Sequence, residues 1–211
     1  MKKKFISICS ALLLLSGTGG AFAQNNGALE TLYATVASSC VETTYTFTTI
    51  LSGMKVQGDH VLEIQGDCWH LKGNGLEIWC DGQSVWTMDV PAKELVIEDA
   101  DQNEAGVLAN PAVLLVRMHE WLDVSAKKTS PDGSSVLYVM TPKPDKESGI
   151  ESLDLELRKA DGTLRRGSFV LEDGNKVSLL FSSMKAKEKR PVSYYRPSQT
   201  FDMSWIVTDL R

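Results

Sequence analysis

The stretch "IESLDLELRK" (residues 150–159) sets Leu153, Leu155 and Leu157 against Asp154, Glu156 and Arg158, apolar and charged positions in turn. A two-residue period is that of a β-strand with one buried and one wet face. The same habit runs through much of the chain. In "TTYTFTTIL", Tyr45, Phe47 and Leu51 fall on one side and threonines on the other. "HVLEIQ", "CWHLK", "LEIWC", "SVWTMDV" and "ELVIED" follow as short strands, divided by "GD", "GNG", "DG" and "PAK" turns. "SVLYVMTP", "LRRGSFVLE", "KVSLLFSSM" and a last strand near "FDMSWIV" complete the set. Two segments keep helical spacing instead. Residues 28–39 carry Leu29, Leu32, Tyr33 and Val36 on one stripe. "NPAVLLVRMHEWL" offers Asn110 as N-cap, Pro111 at the first helical position, and a stripe of Leu114, Leu115, Met118 and Trp121 or Leu122. About ten antiparallel strands with one helix before them and one inserted are no βαβ pattern. They predict a mainly β (α+β) chain with one large curved sheet whose concave face is covered by helices.

The N-terminus sets the compartment. Lys2, Lys3 and Lys4 precede a short apolar run, Phe5 to Leu15, and Ala21-Phe22-Ala23 is an A-x-A cleavage site. Residues 1–23 read as a cleavable signal peptide; the run is shorter than the roughly 20 apolar residues a membrane span needs. No lipobox cysteine follows, so the mature chain is expected to be exported and soluble, a single domain over residues 24–211. Removing the leader moves the formal net charge from −5 to about −8. That disfavours nucleic acid, whose phosphates call for clustered Lys and Arg.

Candidate chemistry is sparse. No G-x-S-x-G, H-E-x-x-H, paired-carboxylate signature or glycine-rich phosphate loop is present, which argues against an enzyme and against a bound cofactor. His60, His70 and His119 have no metal-site spacing, and the acidic "IEDADQNE" lacks the pattern of a calcium loop. Cys40, Cys68 and Cys80 remain after the leader. With the "GNG" turn centred on Asn74, Cys68 and Cys80 face each other, either bridged or as two buried thiols. The hairpin "GLEIWCDGQSVWTMDV" concentrates Trp79, Trp86 and Met88 around one turn. They are either sheet core or a wall of a cavity that holds apolar matter.

The same hairpin carries a resemblance. "CDGQSVWTMDVPAKEL" is similar to the "SDG-x-x-(V/L)-W-x-Y-(D/N)-P" segment of the LolA family of periplasmic lipoprotein carriers: Asp81, Gly82, Val85, Trp86 and Asp89 match, and Met88 stands for the usual tyrosine. "NPAVLL" resembles the family's lid-helix start, "MTPK" its strand end, and "DGTLRRGSFVLEDGNKVSLLFSS" its paired closing strands. The resemblance implies an unclosed antiparallel β-half-barrel with helices over an apolar concave face. It implies a carrier that takes acylated lipoproteins from an inner-membrane ABC transporter to an outer-membrane acceptor, a task that suits a monomer. Trp79, Trp86, Met88, Leu114, Leu115 and Met118 become the cavity or lid candidates. The arginine that the family's carriers place after the first long strand is missing, since "LEIQGD" offers Glu63 and Gln65 there. The chain also stops soon after its last strand, so the family's C-terminal extension is expected to be largely absent. A second reading keeps the half-barrel as a sensor or interaction module of the envelope, and a third has it carry another lipid.

Overall fold

The computed structural model describes residues 27–51, 53–100, 115–116, 118–144, 149–198 and 201–211. The leader and Asn110, Pro111 and Leu114 of the inserted helix lie outside the described residues. Helix α1 (Ala28–Ser38) opens the described chain and buries Ala28, Leu29, Leu32 and Val36. Near its end, hydroxyls bond back to the carbonyls four residues earlier: Thr35 to Thr31, Ser38 to Ala34 and Ser39 to Thr35. Ser39 is already extended, and the β-branched and aromatic run that follows continues as strand.

Strands β1 (Cys40–Leu51), β2 (Met54–Gln65), β3 (Cys68–Gly73), β4 (Leu76–Asp81), β5 (Ser84–Asp89) and β6 (Glu94–Asp99) form one antiparallel meander. Residues 115 and 116 and α2 (Met118–Trp121) are helical. Strands β7 (Leu122–Thr129), β8 (Ser135–Pro142), β9 (Ile150–Arg158), β10 (Leu164–Leu171) and β11 (Lys176–Lys187) form a second meander. The long strands β1 and β11 join the two. A 3-10 turn (Val192–Tyr195) and β12 (Ile206–Asp209) follow, and β12 runs parallel to β6. The result is one unclosed 12-stranded sheet with β12 and β7 at its edges. Among the described residues no helix is long and apolar enough to cross a membrane.

The structure departs from the sequence reading in three places. Leu122 begins a strand rather than ending a helix, and β7 ("LDVSAKKT") is a strand its polar composition hides. The last strand, Ile206–Asp209, overlaps the end of "FDMSWIV" but pairs parallel with β6, where an antiparallel set was expected. The "GNG" register is shifted by one residue. Asn74 and Gly75 both take positive φ, 53° and 82°, the signature of a two-residue type I′ turn. The hairpin therefore pairs Trp69 with Cys80 and Cys68 with Asp81, instead of Cys68 with Cys80. Facing residues share a side of the sheet, so the two cysteines belong to opposite sides. Both are free thiols, as is Cys40.

Pairing fixes which side each residue takes. Val41, Ile64, Trp69, Cys80 and Val85 face one another in turn across β1 to β5, and all belong to the apolar cluster that includes Leu29, Leu32 and Val36 of α1. This is the inner face. One position along, Glu42, Glu63, His70, Trp79, Trp86 and Ile97 form the neighbouring row on the outer face.

Candidate functional site

The inner face holds a small apolar cavity. Tyr45 (β1), Leu62 (β2), Leu153 and Leu155 (β9), Gly167 (β10) and Leu179 and Phe181 (β11) line it from the sheet, with Leu115 and Met118 opposite. Its free volume is about 20 Å³, room for about one water molecule. Its walls are apolar. Leu115 is 6% and Met118 2% exposed, so both are inserted side chains rather than surface ones. Gly167 faces Leu179 across the ladder, and a Cβ there would meet Leu179 and Phe181 at 3.6–3.7 Å, ordinary contact.

Two polar side chains, Tyr45 and His60, meet at this wall. Tyr45 is 5% exposed. His60 stacks on its ring at 5.6 Å and 17°, meets Phe47 edge-on at 5.1 Å, and has a buried Nδ1 with no partner. Burial pushes the Tyr45 phenol up and pulls the His60 imidazole down, with the Gly58 carbonyl and Asp59 opposing the latter. Both groups are thus held neutral.

The outer face is built differently. Trp79 stacks on His70 at 3.5 Å between ring centres, and His70 Nε2 lies 2.9 Å from Glu77 Oε1. The segment after β11 crosses over this patch. Tyr194 meets Trp79 edge-on at 6.4 Å and donates its hydroxyl to Glu63 at 2.7 Å. Tyr195 is fully buried, with its hydroxyl 3.3 Å from Cys40 Sγ. Arg196 Nε donates to Asp81 Oδ2 at 2.6 Å, while the backbone N–H groups of Gln83 and Ser84 donate to Oδ1 at 2.9 Å each. Burial alone raises the Asp81 carboxyl, but these hydrogen bonds and the charge of Arg196 outweigh it and hold the group below its usual range. Burial pushes the Cys80 thiol up to about 11, which leaves it protonated and unreactive.

The sequence-derived candidates therefore divide. Leu115 and Met118 line the cavity, and Leu114 lies outside the described residues. Alternation puts Trp79, Trp86 and Met88 on the outer face, away from this cavity, and Trp79 receives the C-terminal strap there. Sequence reading missed Tyr45, Leu62, Leu153, Leu155, Leu179 and Phe181 as cavity residues, although it placed them on strands. The histidines are scattered: His60 beside Tyr45, His70 under Trp79, and His119 against Tyr33 at 5.4 Å. A second concavity of about 490 Å³ lies over the outer face of β7 to β11, but its walls are mainly Lys128, Asp154, Glu156, Arg166, Lys176 and hydroxyl residues. It offers little to an apolar guest.

One open sheet with an apolar pocket on a single face defines a protein of the half-barrel class. Residues 69–196 match the family described as outer membrane lipoprotein carrier protein LolA, and the chain belongs to that family. Among solved structures, an uncharacterized conserved protein from Thermus thermophilus shares the fold, with a TM-score of 0.54 and 13% identity over 86% of this chain and 96% of that one. A LolA superfamily protein from Nitrosomonas europaea has a TM-score of 0.46 and 12% identity over 81% and 96%. The Pseudomonas aeruginosa MucA/MucB complex has a TM-score of 0.33 and 12% identity, covering 81% of this chain and 60% of that one. None of the curated proteins compared matches the chain in sequence.

Proposed function

We propose that the protein is a periplasmic carrier that shelters the acyl chains of lipoproteins against the inner face of its sheet. It would receive cargo from an inner-membrane transporter and deliver it to an outer-membrane acceptor. The observation that supports this reading best is the cavity under Leu115 and Met118, enclosed by apolar surface from five strands. Each methylene moved from water into such a site is stabilised by about 0.8 kcal/mol, so an acyl anchor does not cross an aqueous compartment without a container. A cavity of about 20 Å³ is far below the roughly 300 Å³ at which ligand pockets begin. Loading therefore requires the helical residues to swing away, with α1, residues 115 and 116 and α2 acting as a lid over the half-barrel. In the closed position Leu115 and Met118 occupy the place of the chain, so the lid and its cargo compete for one apolar surface.

The test is release of newly made lipoproteins from spheroplasts by added mature protein. The wild type should bring them into the soluble fraction. Leu115→Glu, whose carboxylate has no partner in that cavity, should release none while its far-UV circular dichroism remains that of a sheet. Release by Leu115→Glu at the wild-type level would remove the lid assignment.

A further inference from the structure

The cavity wall has one position without a side chain. Gly167 presents bare backbone there, between Leu155 on β9 and Leu179 on β11. The apolar floor resumes on the same face of β10 at Phe169, which is 3% exposed. A glycine inside a strand loses stability through backbone entropy and missing packing, so its presence needs a reason. Backbone conformation is not the reason, since Gly167 lies outside the positive-φ region that favours glycine. Crowding in the closed structure is not the reason either. Among the described glycines of ordinary φ, a Cβ on Gly27, Gly58 or Gly73 would be driven against Glu30, Asn74 or the Asp59 carbonyl respectively. A Cβ on Gly167 would find its nearest neighbours at 3.6 Å, an ordinary contact.

A strand glycine with neither cause marks a place where a ligand comes close to the backbone. We propose that Gly167 is the floor of the acyl channel. With Leu115 and Met118 swung away, a cargo chain lies against the bare backbone there, and the missing side chain sets the longest chain that the site shelters. Methylenes within the site's capacity leave water, and those beyond it do not. A side chain at position 167 fills the hollow and lowers that capacity. This inference rests on the carrier reading and adds the residue that fixes the chain length accepted.

The test measures displacement of N-phenyl-1-naphthylamine, a dye that brightens in apolar sites, from mature protein by lauroyl or palmitoyl lysophosphatidylcholine below their micellar concentrations. The wild type should bind the palmitoyl chain at least about tenfold more tightly, since each added methylene is worth up to about fourfold. Gly167→Ala should narrow that ratio about fourfold, the equivalent of one methylene, and Gly167→Leu should abolish it. Gly167→Ala should also resist urea as well as the wild type or better, as expected of a strand glycine that the closed form does not need. Tighter lid closure alone would weaken both chains equally and leave the ratio as it was. An unchanged ratio in both variants, a wild type without chain-length preference, or a marked loss of urea stability in Gly167→Ala would overturn the inference, while dye binding left the carrier reading standing. No dye binding by the wild type would overturn both.

Discussion

Leu115→Ala separates a lid from an ordinary core. Leu115 is 6% exposed and sits in the cavity wall opposite β9 and β11. The substitution removes three carbons, worth about 2.4 kcal/mol at about 0.8 kcal/mol each, and the void left behind adds to this, toward the roughly 2.7–5 kcal/mol seen for buried leucines. In a rigid core the whole loss would appear in the unfolding free energy with no gain in affinity. In a lid the same loss also raises the population of the open, binding-competent form, since the sheet persists when the lid is open, so lost stability is matched by gained affinity. A loss of about 2.4 kcal/mol shifts the open-to-closed ratio roughly 50-fold. Apparent affinity rises with the fraction of binding-competent molecules, until the open form predominates. Naphthylamine titration should therefore give a lower Kd for Leu115→Ala than for wild type, by severalfold and at most about 50-fold. The unfolding free energy, read by urea titration of tryptophan emission, should fall by the matching amount, about 1.4 kcal/mol for each tenfold gain in affinity. A drop of about 2 kcal/mol or more in unfolding free energy, the core-truncation range, with an unchanged or weaker Kd would refute the lid.

Other outcomes follow from the outer face and the thiols. Trp79→Phe should leave naphthylamine affinity within about twofold of wild type while making the 188–211 segment easier to cleave by protease; a collapse of dye binding would return the tryptophan to the cavity. The Asp81 carboxyl is held below its unfolded value of about 3.9, so its contribution is complete above that pH and is lost as pH falls through the lower folded value. Strap release, read by protease sensitivity, should thus increase below about pH 4, and Asp81→Asn should already be sensitive at neutral pH. An acid transition identical in Asp81→Asn would dismiss this ion pair as the anchor. Cys40, Cys68 and Cys80 are buried free thiols, so a thiol reagent should react slowly with native mature protein and with three groups in denaturant. One reactive group in unreduced, denatured protein would show that a bridge had formed.

Much of the sheet was legible because one face is wet. On β9 the alternation of leucines with charged residues names its buried side directly, and Leu153, Leu155 and Leu157 are buried as that pattern requires. On β4 and β5 the rule fails for a physical reason. Ile78, Trp79 and Cys80, like Val85, Trp86 and Met88, are apolar on both faces, because the outer face there is covered too. Periodicity detects burial, not which layer does the burying, and so the tryptophans could not be assigned. The strap "KRPVSYYRPS" has no period to read. Its signal lies elsewhere, in Glu63 and Asp81, two carboxylates at otherwise buried strand positions that need the partners Tyr194, Lys187 and Arg196. The cysteine register turned on a single feature, the paired positive φ of Asn74 and Gly75.

The most direct test of the carrier reading is native mass spectrometry of mature protein purified from periplasm, with lipid extraction of whatever accompanies it. The expected result is a one-to-one complex with an acylated protein, absent when Leu115→Glu replaces the wild type. Protein that is consistently empty, or that carries a non-acylated polypeptide, would contradict the carrier reading and favour an interaction module built on the same sheet.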